Sequence, residues 1–165
     1  MSIQPVIETM SQLLIAHEQL LHLAEQKTGV IVRNEVEELN RIVSKEARLV
    51  SAITELDQQR VAVIGQFLTE KGYRPHPYIT VSDIVKLVVK LEEKQALQQA
   101  QQALLDTIGK LKELNQHNQQ LIAQSLSFIE YSIDVIAGPP EDEAVYHHPS
   151  SMQGLKRTGL FDTRA

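Results

Sequence analysis

The chain has 165 residues, of which 42% are hydrophobic and 22% are charged, proportions typical of a folded domain rather than a disordered segment. Sixteen basic and 21 acidic residues give a net charge of −5 with no basic block, which disfavours nucleic-acid binding. Only seven Gly and six Pro are present, too few turn residues for an all-β fold. Cys is absent, which excludes disulfides, Cys-based zinc sites and thiol nucleophiles and is typical of a reducing cytoplasm.

The first residues are not typical of a signal peptide, because no basic region precedes Glu8. The longest strongly apolar run without charge, Val61 to Leu68, is far shorter than the roughly 20 residues that cross a bilayer. We therefore expect a cytoplasmic protein with no membrane insertion.

The first predicted helix carries an apolar stripe at helical spacing. The stripe consists of Ile3, Ile7, Met10, Leu14, His17, Leu21 and Ala24. His17 is predicted to be a hydrogen-bonded core histidine rather than a ligand. Gly29 and the β-branched residues 30–32 favour a break in this helix, with an uninterrupted helix as the alternative.

The second predicted helix runs from Glu35 to Lys71, because a 3-4 spacing of stripe residues persists for four heptads. Asn34 and Glu37 have the spacing of a capping box, and Gly72 is predicted to cap the other end in a left-handed conformation. The stripe consists of Leu39, Ile42, Glu46, Leu49, Ile53, Leu56, Arg60, Val63 and Phe67.

The segment that follows begins with a loop, since Pro75 and Pro77 cannot donate helical hydrogen bonds. Residues 79–91 fit both a strand and a helix, and the helix-start pattern at Thr80 to Asp83 favours a short helix.

The last predicted helix is the longest and ends at Gly138-Pro139-Pro140. Its stripe includes Leu97, Leu104, Leu111 and Asn118 at intervals of seven and continues to Ile136. The predicted fold is all-α, an elongated antiparallel hairpin or bundle of long coiled-coil-like helices. Residues 1–137 form the helical body and residues 138–165 form a flexible tail.

No enzyme motif is present: the sequence lacks a Gly-rich loop after a strand, a Gly-Lys-Ser/Thr run and a His-Glu-x-x-His run. A bundle of long helices also offers little concave space for a substrate. His147 and His148 lie in the predicted tail, which cannot hold ligand geometry. We expect no catalytic residue, no cofactor and no metal.

Polar residues interrupt the predicted apolar stripes, Glu46 and Arg60 in the second helix and Asn115 and Asn118 in the last. Such residues either fix the register of the helices or mark a surface for a partner helix. Leu160-Phe161 near the end of the tail either packs on the body or acts as a short recognition element.

Three segments carry a resemblance to a known family. They are EVEELNRIVSKEARLVSAITELDQQR at 35–60, LNQHNQQLIAQSLSFIEYSI at 114–133, which contains the more specific N-x-x-N-x-x-L-I run, and the FDTRA ending. The chain resembles the FlgN-type flagellar export chaperones, small cytoplasmic helical proteins. The resemblance implies binding of the hook-associated proteins of the hook–filament junction, protection of these clients from premature assembly, and delivery to the flagellar type III export apparatus.

In that family, clients bind the C-terminal helical part. The candidate client-binding residues are therefore Asn115, Asn118, Leu121, Ile122, Ser125, Ile129, Tyr131, Leu160 and Phe161. The export gate or the export ATPase is a further expected partner, and the chain itself is expected to be a monomer or a weak homodimer. The alternative is a structural coiled-coil adaptor or spacer without an export client.

Overall fold

A computed structural model describes residues 3–138 of the chain, and this part contains four helices and no strand. The helices are α1 (Gln4–Val32), α2 (Val36–Glu70), α3 (Val81–Leu87) and α4 (Leu91–Ala137). The predicted all-α class built from long helices is confirmed, and the last helix is the longest of the described four, with 47 residues.

Helix α1 continues through Gly29 to Val32, so the favoured break at Gly29 is wrong. Val30 is buried in one cluster with Leu23 and Ile42, and Ile31 is also buried. Full burial of one such side chain stabilises by about 1.5–3 kcal/mol, whereas Gly within a helix costs about 1 kcal/mol. Packing against α2 therefore outweighs the low helix propensity of this segment.

The turn between α1 and α2 is built by Asn34, whose φ is +59°. The Asn34 N–H donates to the Ile31 carbonyl and the Glu35 N–H to the Val30 carbonyl, both at 3.1 Å. These two bonds form a Schellman motif, in which Asn tolerates the left-handed position. The predicted capping box at Asn34 is wrong: Asn34 ends α1, and α2 is preceded by Glu35, which makes no side-chain capping bond.

The predicted end of α2 is confirmed. Gly72 has φ +81°, and the Gly72 and Tyr73 N–H groups donate to the carbonyls of Thr69 and Leu68. The favoured short helix after the proline-containing loop is also confirmed as α3. Thr80 and Asp83 form its capping box, since the side chain of each accepts from the backbone N–H of the other.

Helices α1 and α2 form an antiparallel hairpin. Ile3 and Val6 at the start of α1 belong to one core cluster with Ile64 and Leu68 near the end of α2. Helix α4 runs parallel to α1, because Leu97 joins that same cluster whereas the later residue Leu111 joins Leu20 and Ala24 of α1. Helix α3 adds Val81, Ile84 and Val85 to the first cluster.

The chain divides after Ala123 into two compact units. Of the first unit, the structure describes residues 3–123, which hold the bundle and its core. Of the second, it describes residues 124–138, the last turns of α4 followed by Gly138 with φ +78°. Leu160, Phe161, His147 and His148 lie outside the described residues.

Candidate functional site

Asn118 is part of the seam between α1 and α4. Its side chain is 1% exposed and its Nδ2 donates to the Ala24 carbonyl at 2.9 Å. The Thr28 hydroxyl lies 2.7 Å from Asn118 Oδ1 and donates to it. Both polar ends of the Asn118 amide are therefore satisfied by α1, and in this conformation the side chain is not accessible to a partner.

The other predicted residues of the first unit, Asn115, Leu121 and Ile122, are partly buried. The Oδ1 atom of Asn115 is buried and has no hydrogen-bond partner among residues 3–138. The structure thus places Asn115 and Asn118 on neighbouring turns, but only the Asn118 amide is used as a bridge between helices.

The charged residues of the α2 stripe also have partners. Glu46 bridges to α1, with its Oε1 2.7 Å from Lys27 Nζ and both side chains 15% exposed. Arg60 pairs within α2 with Asp57, with 2.8 Å between Nε and Oδ1. Glu46, the polar residue predicted inside a helical seam, therefore links α2 to α1 through this ion pair.

The last turns of α4 expose a set of large apolar side chains, which we call the C-terminal apolar surface. Its members are Leu126, Phe128, Ile129, Tyr131, Ile133, Val135 and Ile136, with exposed fractions between 43% and 86%. Spacings of three and four place Leu126, Ile129, Ile133 and Ile136 on one side of the helix. Phe128, Tyr131 and Val135 share a second side, and the acidic residues Glu130 and Asp134 lie between the two.

Two predicted site residues, Ile129 and Tyr131, belong to this surface, and the predicted Ser125 is partly buried one turn before Ile129. The other five members, Leu126, Phe128, Ile133, Val135 and Ile136, were not among the site residues predicted from the sequence. The signal that could have found them is the apolar character of both sides of residues 126–136, since a helix that packs on one side alone needs only one apolar stripe.

A concave feature lies in the first unit, bordered by α1, α2, α4 and the start of α3. It is an open groove of about 780 Å³ whose lining includes Met10, Leu13, His17, Arg60 and Leu104. The sequence argument that the bundle offers little concave space is wrong to this extent. His17 is partly buried and its Nδ1 lies 2.7 Å from the Leu13 carbonyl, so it is hydrogen-bonded as predicted but lies at a groove instead of in the core.

Among residues 3–138, no group of three or more His, Asp or Glu side chains is arranged to hold a metal ion. None of the helices in the same range is both long and apolar enough to span a lipid bilayer.

A helical bundle whose final helix exposes apolar side chains on two sides has the features of a protein that binds other proteins. The sequence model of the family described as "FlgN protein" matches residues 1–154. The chain therefore belongs to the FlgN family, a family of flagellar export chaperones.

A relative in Bacillus subtilis (strain 168), described as "Uncharacterized protein YvyG", is 32% identical over 167 residues. The similarity covers all of this chain and all of that relative. No solved structure matches the chain.

Proposed function

We propose that this protein is a cytoplasmic export chaperone for the hook-associated proteins of the flagellar hook–filament junction. In this role it binds a client before export, prevents its premature assembly and delivers it to the flagellar type III export apparatus. Membership of the FlgN family supports the chaperone role in general. The observation that carries the specific proposal is the C-terminal apolar surface.

The C-terminal apolar surface fits an amphipathic helix of a client. Ile129 and Ile133 are adjacent on one side of α4 and are 43% and 56% exposed. A client helix that covers them removes apolar area from water, and full burial of an Ile side chain is worth about 1.5–3 kcal/mol. Binding of this kind needs no nucleotide, because the client can be transferred by exchange of one helical partner for another.

Glu130 and Asp134 add specificity to this surface. They lie between the two apolar sides, so a client meets two apolar strips with negative charge between them. A client helix with basic residues beside its apolar stripe would match it. Asn118 has no direct contact in this arrangement, because its amide is bonded to Ala24 and Thr28.

The test is a calorimetric titration of the hook-associated protein encoded in the same genome. We expect the double substitution Ile129→Ala with Ile133→Ala to weaken binding at least tenfold, since about 1.4 kcal/mol corresponds to a factor of ten. The free energy of unfolding should change by less than about 1 kcal/mol, because both side chains are exposed.

The matched control is Val89→Ala with Leu91→Ala, two exposed apolar residues at the start of α4 and just before it. This variant should bind the client like the wild type. Unchanged client affinity for the Ile129→Ala, Ile133→Ala variant would contradict the proposed surface, and no binding by the wild-type chain would contradict the proposed client.

A further inference from the structure

Helix α2 carries a second heptad stripe that the bundle does not use, and we call it the outer α2 stripe. It consists of Val36, Asn40, Val43, Ala47, Val50, Thr54, Asp57 and Val61. All eight residues are exposed, and the four valines retain between 48% and 64% of their surface. Val43 and Val50 directly follow the inward-facing Ile42 and Leu49, so the stripe is rotated by about 100° from the core side of α2.

The spacing of the outer α2 stripe alternates between four and three residues along its whole length. This is the a/d repeat by which two helices pair, and here it covers about 38 Å. Its side chains are small or β-branched, which lets a second helix approach closely. Asp57 is the one charged member of the stripe and is bonded to Arg60.

We propose that the outer α2 stripe is the interface of a weak antiparallel homodimer, in which α2 pairs with α2 of a second copy of the chain. A two-fold axis between Ala47 and Val50 brings every position of the stripe opposite another. The resulting pairs are Val36 with Val61, Asn40 with Asp57, Val43 with Thr54, and Ala47 with Val50 of the second copy.

The charges select the antiparallel orientation. In a parallel pair each Asp57 faces its own copy, and like charges at one layer of a seam repel. In the antiparallel pair the Asp57 carboxylate faces the Asn40 amide, which can donate to it. On one flank of the stripe, Glu37 lies near Gln58 and Ser44 lies near Ser51 of the second copy, so no like charges meet there.

The proposed interface is small. Two helices in contact over about 38 Å bury on the order of 1,000 Å² in total, at the lower limit for a specific complex. Together with the small seam residues, this area gives a reversible dimer that forms only at high concentration. The C-terminal apolar surface takes no part in it, so dimer formation and client binding are separate properties.

The first experiment is sedimentation velocity of the full chain from micromolar to near-millimolar concentration. We expect the average mass to rise towards that of a dimer. Val43→Glu with Val50→Glu should raise the dimer dissociation constant at least about tenfold, since it places carboxylates in the seam. The control Val89→Glu with Leu91→Glu makes the same charge change at exposed residues outside the stripe and should leave the dimer unchanged.

A chain that stays monomeric throughout, or a dimer equally stable in the Val43→Glu, Val50→Glu variant, would overturn the proposal. Circular dichroism with the same helix signal for both variants excludes unfolding as the cause. If the wild type stays monomeric and the stripe variant loses only the hook-associated protein, the stripe belongs to the client and the proposal is wrong.

The second experiment tests the orientation by cross-linking, which is clean because the chain contains no Cys. Asn40→Cys and Asp57→Cys are made as separate variants, mixed and oxidised. The antiparallel pair predicts a disulfide between the two variants and little within either one alone. Efficient cross-linking of each variant to itself would indicate a parallel pair and overturn the proposal.

Discussion

At the scale of single residues, polar groups decide how the helices of the bundle align. Asn118 can donate to the Ala24 carbonyl and accept from Thr28 in only one axial position of α4 against α1. The Lys27–Glu46 pair adds a second such link between α1 and α2. Apolar stripes alone tolerate a slip by one heptad, whereas a buried amide left without partners costs about 1–3 kcal/mol.

We expect Asn118→Ala to lower the free energy of unfolding by about 1–3 kcal/mol, because the Ala24 carbonyl loses the Asn118 amide as a donor and the Thr28 hydroxyl keeps only its 3.2 Å bond to that same carbonyl. Asn115→Ala is the matched control on the neighbouring turn. Its Oδ1 is already buried without a partner among the described residues, so its loss should cost much less. Urea unfolding of both variants measures the difference, and equal losses would show that the Asn118 hydrogen bonds contribute nothing.

The double variant Thr28→Val with Asn118→Leu tests whether the contact between Thr28 and Asn118 needs hydrogen bonds or only packing. Replacement of both polar partners by apolar groups of similar size removes the need for hydrogen bonds. We therefore expect the double variant to be at least as stable as Asn118→Ala by urea unfolding. A double variant that is less stable than Asn118→Ala would indicate that packing, rather than hydrogen bonding, determines the stability contributed by this site.

At the scale of elements, α3 shows how a helix of seven residues is stabilised. Isolated helices shorter than about 12 residues are marginal in water, so α3 depends on its cap and its contacts. Val81, Ile84 and Val85 are buried in the core cluster, and the Thr80–Asp83 capping box satisfies the first N–H groups.

Thr80→Ala should therefore destabilise α3 by about 0.5–2 kcal/mol, the usual cost of a lost N-cap. Hydrogen exchange measures this cost locally, because the amides of residues 84–88 should exchange faster while those of the α1–α2 hairpin keep their protection. Val89→Ala, an exposed position just after α3, is the control. If protection of residues 84–88 is unchanged, burial alone maintains α3.

The same capping box predicts a dependence on pH. Hydrogen bonds from the Thr80 hydroxyl and backbone N–H, with a smaller effect of Lys86, lower the pKa of Asp83 from its ordinary value of 3.8 to about 2. A carboxyl whose pKa is lower in the folded state stabilises that state above its unfolded pKa, and this contribution is lost as the pH falls towards 2. Asp83→Asn should therefore weaken the protection of α3 at pH 6 and have little effect near pH 2, as hydrogen exchange at the two pH values can show.

At the scale of the whole molecule, burial is concentrated in the first unit. The three core clusters lie within residues 3–111, whereas the large apolar side chains of residues 126–136 are exposed. This distribution suits a protein whose stability and partner binding rest on different segments. Substitutions in the first group should lower stability, and those in the second should lower binding.

Deletion of residues 139–165 should leave the thermal midpoint of the chain within about 2 °C of its wild-type value. The reason is that the described core is formed without this segment, which also contains few apolar residues. Differential scanning calorimetry gives the midpoint. A loss of several degrees would indicate that Leu160 and Phe161 pack on the body and that the predicted flexible tail is wrong.

The sequence by itself determined the helical class, the ends of α2 and α4, the start of α3 and the family, because these follow from local spacing, from Gly72 and Gly138, and from motifs. Tertiary structure decided what local signals cannot. Burial of Val30 and Ile31 extends α1 past Gly29. The backbone hydrogen bond from Asn34 to the Ile31 carbonyl makes Asn34 part of the C-terminal cap of α1 rather than the N-cap of α2.

For the candidate site, too, the sequence indicated some residues correctly and the tertiary structure decided the others. The sequence placed Ile129 and Tyr131 in the last helix, and both are exposed there. It could not separate them from Asn118, because a polar residue on an apolar stripe has the same pattern whether it meets a partner or its own chain. Only the position of α1 opposite α4, with the Ala24 carbonyl and the Thr28 hydroxyl in reach, made Asn118 part of the internal seam.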